Sequence, residues 1–367
     1  MQFGLNESQE FLRNSARKFF AGECPIAEVR RLMETETAFD ANLWAKLAAQ
    51  GYTGIIFPEE FGGVGLGIVE LILLMEEAGR ALLPGPFFST VVMAGSLFDA
   101  LATREQKMKY LAPICRGGAR ATVAFFEADG SWDLADIHLT AANGRLQGEK
   151  LFVPDAAVAD WIIVVVRNGV FVVDAKAPGI LVKPILGMDL TRKLYSVKFD
   201  NVLGERLGET AALTTPRGIA TMALTAEMVG GMQRTLDLTV EYAKTRKQFG
   251  KPIGMFQAVQ HQCADMYLET ESARSAVYYA AWALQHHAPD AAAAVSIAKL
   301  YASDASRTVG NRGIQVHGGM GFTWENDLHL YYRRAKASET VFGDATFHRE
   351  RLARMTIDAQ TVSAQRA

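Results

Sequence analysis

The sequence has little that would tie it to an oxidising compartment, a membrane or a polyanion. Its three cysteines, Cys24, Cys115 and Cys263, lie far apart, with no even set to pair and no metal-ligand spacing. No metal site and a reducing, cytoplasmic setting are therefore expected. The apolar stretch Trp161 to Val166 is far too short to span a bilayer, so no membrane insertion is expected. The amphipathic start, MQFGLNESQEFLRNSARKFF, carries both charge signs and lacks the continuous apolar segment of a secretory signal. Charge of one sign is also missing. With 38 basic and 40 acidic side chains the net charge is −2, which gives no electrostatic footprint for nucleic acid or an anionic lipid surface. No internal repeat or low-complexity linker interrupts the chain. What is present is a globular composition, 49% apolar and 21% charged over 367 residues, enough for two or three domains with substantial cores.

The periodicity divides the chain into three regions. Residues 1–118 read as an N-terminal helical domain: Phe3, Leu5, Phe11, Leu12, Phe19 and Phe20 recur at helical spacing, as do Leu43, Leu47 and Ala48. The apolar segment Ile68 to Leu83 ends at the stop Pro84-Gly85-Pro86. Residues 119–208 read as a β domain. Asn143-Gly144 and Asn168-Gly169 sit between apolar or alternating runs, and the second, between WIIVVVR and VFVVDA, predicts a hairpin with a type I′ turn. Tyr195, Val197 and Phe199 alternate with Ser196, Lys198 and Asp200, the period of a half-buried strand. Residues 209–367 return to the helical period. Val259, Cys263, Met266, Thr270, Ala273, Val277, Ala280 and Leu284 form a bundle stripe, and the alanine-rich 291–308 allows close helix approach. The expected fold is mainly α with an inserted β domain: N-terminal helices, a central β-barrel or sandwich, and a C-terminal four-helix bundle.

Three stretches carry a resemblance that spans most of the chain. PEEFGGVGLG, Pro58 to Gly67, precedes a predicted helix, but no βαβ unit surrounds it, so it reads as a tight turn and not as a nicotinamide fingerprint. YAKTRKQFGKPIGMFQAVQHQCADM runs from Tyr242 to Met266, and IQVHGGMGFTWENDLHLYYRRAK from Ile314 to Lys336. Together they resemble the acyl-CoA dehydrogenases. The resemblance implies that Arg246 and Phe249 of the RxxFG string, then Gln257, Gln315, Gly318 and Gly319, contact the FAD of a neighbouring subunit. The chemistry suits that role: a guanidinium fork matches a pyrophosphate, an aromatic ring packs on the cofactor, and glycines let backbone come close. His317 reads as a packing or hydrogen-bonding residue. Asp327 and Arg334 depart from the Pro and Asp usual in the family.

In the β domain, FFEADGSWD and LFVPD replace the family's TExxxGSD and WIT segments. Glu127, Gly130 and Ser131 are kept, Ser131 as a further cofactor contact. Phe126, Phe152 and Pro154 replace a Thr, a Trp and the flavin-contacting Thr, and Pro154 also removes a backbone donor. The family's catalytic base is a Glu in YEGT, where this chain has Phe342, or a Glu on the first bundle helix, where it has Ala220. Glu227 shares a helix face with Ala220, roughly 10 Å along the axis, and Asp344 lies two residues past Phe342; these are the candidate bases. Glu227 reads equally as a structural carboxylate paired with a basic group. Gly230 and Gly231 read as close-packing positions.

The resemblance implies an FAD-dependent α,β-desaturation of an acyl-CoA thioester with hydride passing to flavin N5. It also implies a homo- or heterotetramer and an electron-transfer flavoprotein as acceptor. The tail FGDATFHRERLA is similar to small subunits of two-component members such as pimeloyl-CoA dehydrogenase. That keeps open a half-catalytic or non-catalytic partner subunit, beside a flavin oxidase or monooxygenase on the same fold.

Overall fold

A computed structural model describes residues 4–358, so Phe3 lies outside the described residues. The chain begins with helices α1 (Glu7–Glu23), α2 (Ile26–Met33), α3 (Ala41–Ala49), α4 (Ile68–Arg80), α5 (Ser96–Leu101), α6 (Arg104–Gln106) and α7 (Ala112–Cys115). Strands follow: β1 (Ala121–Ala124), β2 (Ala141–Ala142), β3 (Arg145–Pro154), β4 (Trp161–Val166), β5 (Gly169–Asp174), β6 (Ile180–Ile185), β7 (Leu194–Leu203) and β8 (Glu205–Gly208). The last part holds α8 (Thr214–Thr245), the short strands β9 (Lys247–Gln248) and β10 (Lys251–Pro252), α9 (Gln257–Gln285), α10 (Ala291–His317), α11 (Leu328–Thr340) and α12 (Ala345–Ala353). This is the expected helix–β–helix order. Among the described residues no helix is long and apolar enough to cross a membrane. The contacts define two compact units, one of residues 27–71 and 84–220, the other of residues up to 26, 72–83 and 221 onward.

The first unit contains two four-stranded sheets, ordered β1-β4-β5-β8 and β2-β3-β7-β6. Their inner faces share one core, in which Ile162, Val164 and Phe171 meet Leu146, Val197 and Phe199, the arrangement of a sandwich. The alternation read at 195–199 is strand β7, with Tyr195, Val197 and Phe199 buried. Both Asn-Gly pairs lie in hairpins, but the turns differ. Asn143 and Gly144 take φ values of 51° and 75°, as a type I′ turn needs, between the paired Ala142 and Arg145. At the second pair the register is one residue earlier than predicted. Val166 pairs with Gly169, so the turn residues are Arg167 and Asn168. Asn168 is drawn away because its side chain bonds the backbone of Ala141 on both sides, at 2.9 and 2.8 Å.

In the second unit α1 starts at a capping box, Asn6 with Gln9, which satisfies two otherwise orphaned N–H groups. Helix α4 ends at Arg80, three residues before Leu83, the expected end of the segment. Tyr331 Oη, on α11, donates to the Arg80 carbonyl at 2.9 Å. Helices α8 to α11 form the bundle. Met266, Thr270, Ala273, Val277 and Ala280 of the predicted stripe are buried along α9. Helices α4 and α8 touch backbone to backbone: a Cβ on Gly230 would stand 1.8 Å from the Glu76 carbonyl oxygen, and one on Gly79 would stand 2.0 Å from that of Glu227. Gly231 faces open space, so the packing role read for the pair belongs to Gly230 alone.

Candidate functional site

Helix α8 runs out at Thr245, and the chain makes a small hairpin before α9 begins. Phe249 and Gly250 form its turn with φ values of 52° and 78°. That conformation is rare for a bulky residue, and it leaves the Phe249 ring 92% exposed, edge-on to Phe256. Arg246 stands at the hairpin's entry, its N–H on the Tyr242 carbonyl at 2.8 Å. From the other side α10 ends at His317, Gly318 and Gly319. Buried His317 stacks on Tyr242 at 4.3 Å and donates Nδ1–H to the Gly313 carbonyl at 2.9 Å; burial pushes its pKa down. It is a packed, hydrogen-bonded histidine, as read.

A cleft of about 460 Å³ opens here, lined by Tyr242, Arg246, Gln248, His317, Gly318 and Gly319. Arg246, Gly318 and Gly319 are thus brought together. Gln257 is the first residue of α9 and Gln315 lies in the last turn of α10; they and Phe249 are solvent-facing but do not line the cleft. The side chains of Arg246, Gln257 and Gln315 make no hydrogen bond among the described residues. A Cβ on Gly318 or Gly319 would meet nothing within 4 Å, so the backbone there is uncovered. An idle guanidinium beside bare backbone, with an aromatic ring held out on a strained turn, fits a phosphate-bearing ligand with a planar ring.

The candidate bases are placed differently. Glu227, on α8, is 2% exposed, and its carboxylate accepts from Nη1 of Arg334 on α11, itself 6% exposed. Arg334 also reaches the Leu83 carbonyl at 3.4 Å. The candidate base Glu227 and Arg334, the arginine that departs from the family's Asp, are therefore partners. Asp344 is exposed and caps α12, its Oδ1 accepting from the Phe347 N–H at 2.8 Å. Phe342, in the seat the resemblance gives to Glu, is buried with a φ of 61°. Sequence reading missed Lys299 and His348, both buried next to this loop. The available signal was a lysine inside the alanine-rich run of α10, on the face that packs inward.

The β-domain segments close on themselves. Glu127 accepts from Lys150 Nζ at 2.7 Å and from the N–H groups of His138 and Leu139 at 2.9 and 3.0 Å. Burial raises its pKa, but these donors outweigh it and the net shift is downward. Lys150, wholly buried, also donates to the Phe125 carbonyl at 3.0 Å. Ser131 Oγ donates to Asp136 at 2.6 Å and accepts from the Asp133 N–H at 3.1 Å. Around them Trp132 packs on Phe125 and Phe126, and Phe126 on Phe152, with centroids 5.3, 3.9 and 6.3 Å apart. Pro154 accepts at its carbonyl from Thr122 Oγ1, 2.5 Å away.

The comparisons with known proteins agree with this layout. The model for the acyl-CoA dehydrogenase N-terminal domain matches residues 6–118, and that for the C-terminal domain matches 213–357. The acyl-CoA dehydrogenase IpdE2 of Mycobacterium tuberculosis is 34% identical over 90% of this chain and 92% of its own length. The ChsE4–ChsE5 complex from Mycobacterium tuberculosis is similar at a TM-score of 0.88 and 28% identity, over 96% of this chain and 98% of the matched one. PigA, solved with FAD and proline, gives 0.89 and 27%, over 97% and 99%. With this coverage and identity, and with both terminal domains matched, the chain belongs to the acyl-CoA dehydrogenase family of oxidoreductases.

Proposed function

We propose that this chain binds FAD and takes part in the α,β-desaturation of an acyl-CoA thioester as one subunit of a two-chain enzyme, the carboxylate base being supplied by a partner chain. One observation carries the reading: both candidate carboxylates are already employed. Glu227 is held by Arg334 in the bundle interior, and Asp344 caps a helix. A base must lie within hydrogen-bond reach of the proton it takes, and these two carboxylates are turned to other partners, one inside the bundle and one at a helix end. The existence of the ChsE4–ChsE5 complex among the relatives supports a two-chain assembly.

FAD, when bound, supplies the hydride acceptor. Arg246 would hold its pyrophosphate, the uncovered Gly318–Gly319 backbone would let the nucleotide approach, and Phe249, Gln257 and Gln315 would meet it from a neighbouring subunit in a tetramer. An electron-transfer flavoprotein is the expected electron acceptor and the cytoplasm the expected location. The test is anaerobic mixing of the purified, FAD-loaded chain with saturated acyl-CoA thioesters. The yellow colour should persist until a partner dehydrogenase chain is added. Bleaching of the chain alone would sink the two-chain reading. Glu227→Gln would then show whether that residue is the base, through a fall of about 10²–10⁴-fold in the bleaching rate.

A further inference from the structure

Lys299 lies on α10 with its side chain wholly buried. Its Nζ donates to Ser303 Oγ at 3.0 Å, to the Ser338 carbonyl at 3.3 Å and to the Glu339 carbonyl at 2.8 Å. Those two carbonyls belong to the last turn of α11, where a helix leaves acceptors without intrahelical donors and where its negative end favours a cation. The Glu339 carboxylate is occupied elsewhere, by Arg307 at 3.0 Å and Lys336 at 2.6 Å. Burial pushes the Lys299 pKa down to about 7, against the opposing pull of Glu339 and Asp344.

Immediately past α11 the backbone makes two left-handed steps, Phe342 at φ 61° and Gly343 at φ 97°. Glycine is required at the second, because a Cβ there would lie 2.2 Å from the Phe347 ring. Phenylalanine is a poor choice for the first. It is held because its carbonyl accepts from Nε2 of His348, a buried residue of α12, at 3.0 Å. Such strain persists only where the surroundings over-determine the backbone.

We infer that Lys299 and His348 are positioning residues, gripping residues 338–342 from two helices so that position 342 keeps its left-handed seat whatever side chain it bears. A turn that merely joined α11 to α12 would need neither a buried lysine nor a strained phenylalanine. Both grips act on backbone carbonyls, so they are indifferent to the ring of Phe342. Resting on the function proposed above, the consequence is that this chain retains the mount for a catalytic carboxylate while carrying a phenyl ring on it.

Amide hydrogen exchange of the full chain tests the grip without any flavin. His348→Leu, which removes one hydrogen bond to the loop, and Lys299→Met, which removes two from its helix end, made separately, should each speed exchange of the 341–344 amides by at least about tenfold, the factor of one lost hydrogen bond. Amides in the middle of α10 should be unchanged. His348→Gln, which keeps a donor at the same reach, should restore the slow rate. Unchanged loop exchange in both variants, or an equal rise throughout the bundle, overturns the inference. A second arm asks about the mount: Phe342→Glu in the FAD-loaded chain should gain bleaching by acyl-CoA, and adding His348→Leu should remove the gain. If the loop loosens as expected but Phe342→Glu stays inert, the grip stands and the functional reading fails. If Phe342→Glu works equally well with His348→Leu, the grip is refuted and the functional reading stands.

Discussion

The bundle's cleft and the β-domain segments 125–155 are both places where the family resemblance puts flavin contacts, yet they dispose of their polar groups in opposite ways. Arg246 at the cleft, and Gln257 and Gln315 outside it, make no side-chain hydrogen bond among the described residues, and glycine backbone lies bare in the cleft. In the β domain Glu127, Lys150 and Ser131 are bonded to neighbours, and the rings of Phe125, Phe126, Trp132 and Phe152 pack on one another. Exposed donors without a protein partner are solvated and remain available to a ligand. Satisfied groups need nothing more. The contrast teaches that kept motif letters can sit in different surroundings: Ser131 and Glu127 match the family resemblance, and both are bonded to neighbours in their own domain.

Three substitutions would break or sharpen that contrast. Arg334→Ala should have the largest effect, because it strands the buried Glu227. A loss of about 3–5 kcal/mol is expected in urea unfolding, and much of it should return in the double variant with Glu227→Ala. If the single variant unfolds like the parent, the pair is not structural and Glu227 is again available as a base. Next, Arg246→Ala should weaken FAD binding by about 1.5–3 kcal/mol, the range of a charge-assisted bond, while the flavin-free melting temperature holds. Full flavin content in that variant would show that the idle guanidinium is not waiting for phosphate. The smallest effect belongs to Ser131→Ala. Its hydroxyl is committed to Asp136 and half-buried, so stability should change by no more than about 0.5 kcal/mol, with FAD affinity unaltered. A loss of affinity as large as that for Arg246→Ala would erase the difference between the two regions.

Much of the architecture was legible because faces are written locally. The period of two at Tyr195, Val197 and Phe199 and the steps of three and four along α9 each report which side of an element is buried. The family membership was legible in runs of neighbouring letters, 242–266 and 314–336, both inside the matched C-terminal domain. Pairings across the chain were not, since nothing near Glu227 announces an arginine 107 residues away. The clue was present only as two separate oddities. The hairpin at Asn168 is present, but its turn is displaced by one residue for a related reason: the Asn-Gly rule counts backbone preference, and here the side chain is spent on Ala141. Lys299 was passed over because composition averages hide a single charge in an alanine-rich helix.

The Glu227–Arg334 pair also restricts how this sequence can change over generations. Either residue replaced alone leaves the other's charge in the bundle interior, a penalty of about 3–5 kcal/mol against a total stability for a typical domain of about 5–15 kcal/mol. Any single-step change at either position therefore passes through a variant that has lost a large share of that stability. The two positions are thus coupled, and an aspartate at position 334 would be tolerated only if position 227 changes with it or a compensating cation is present.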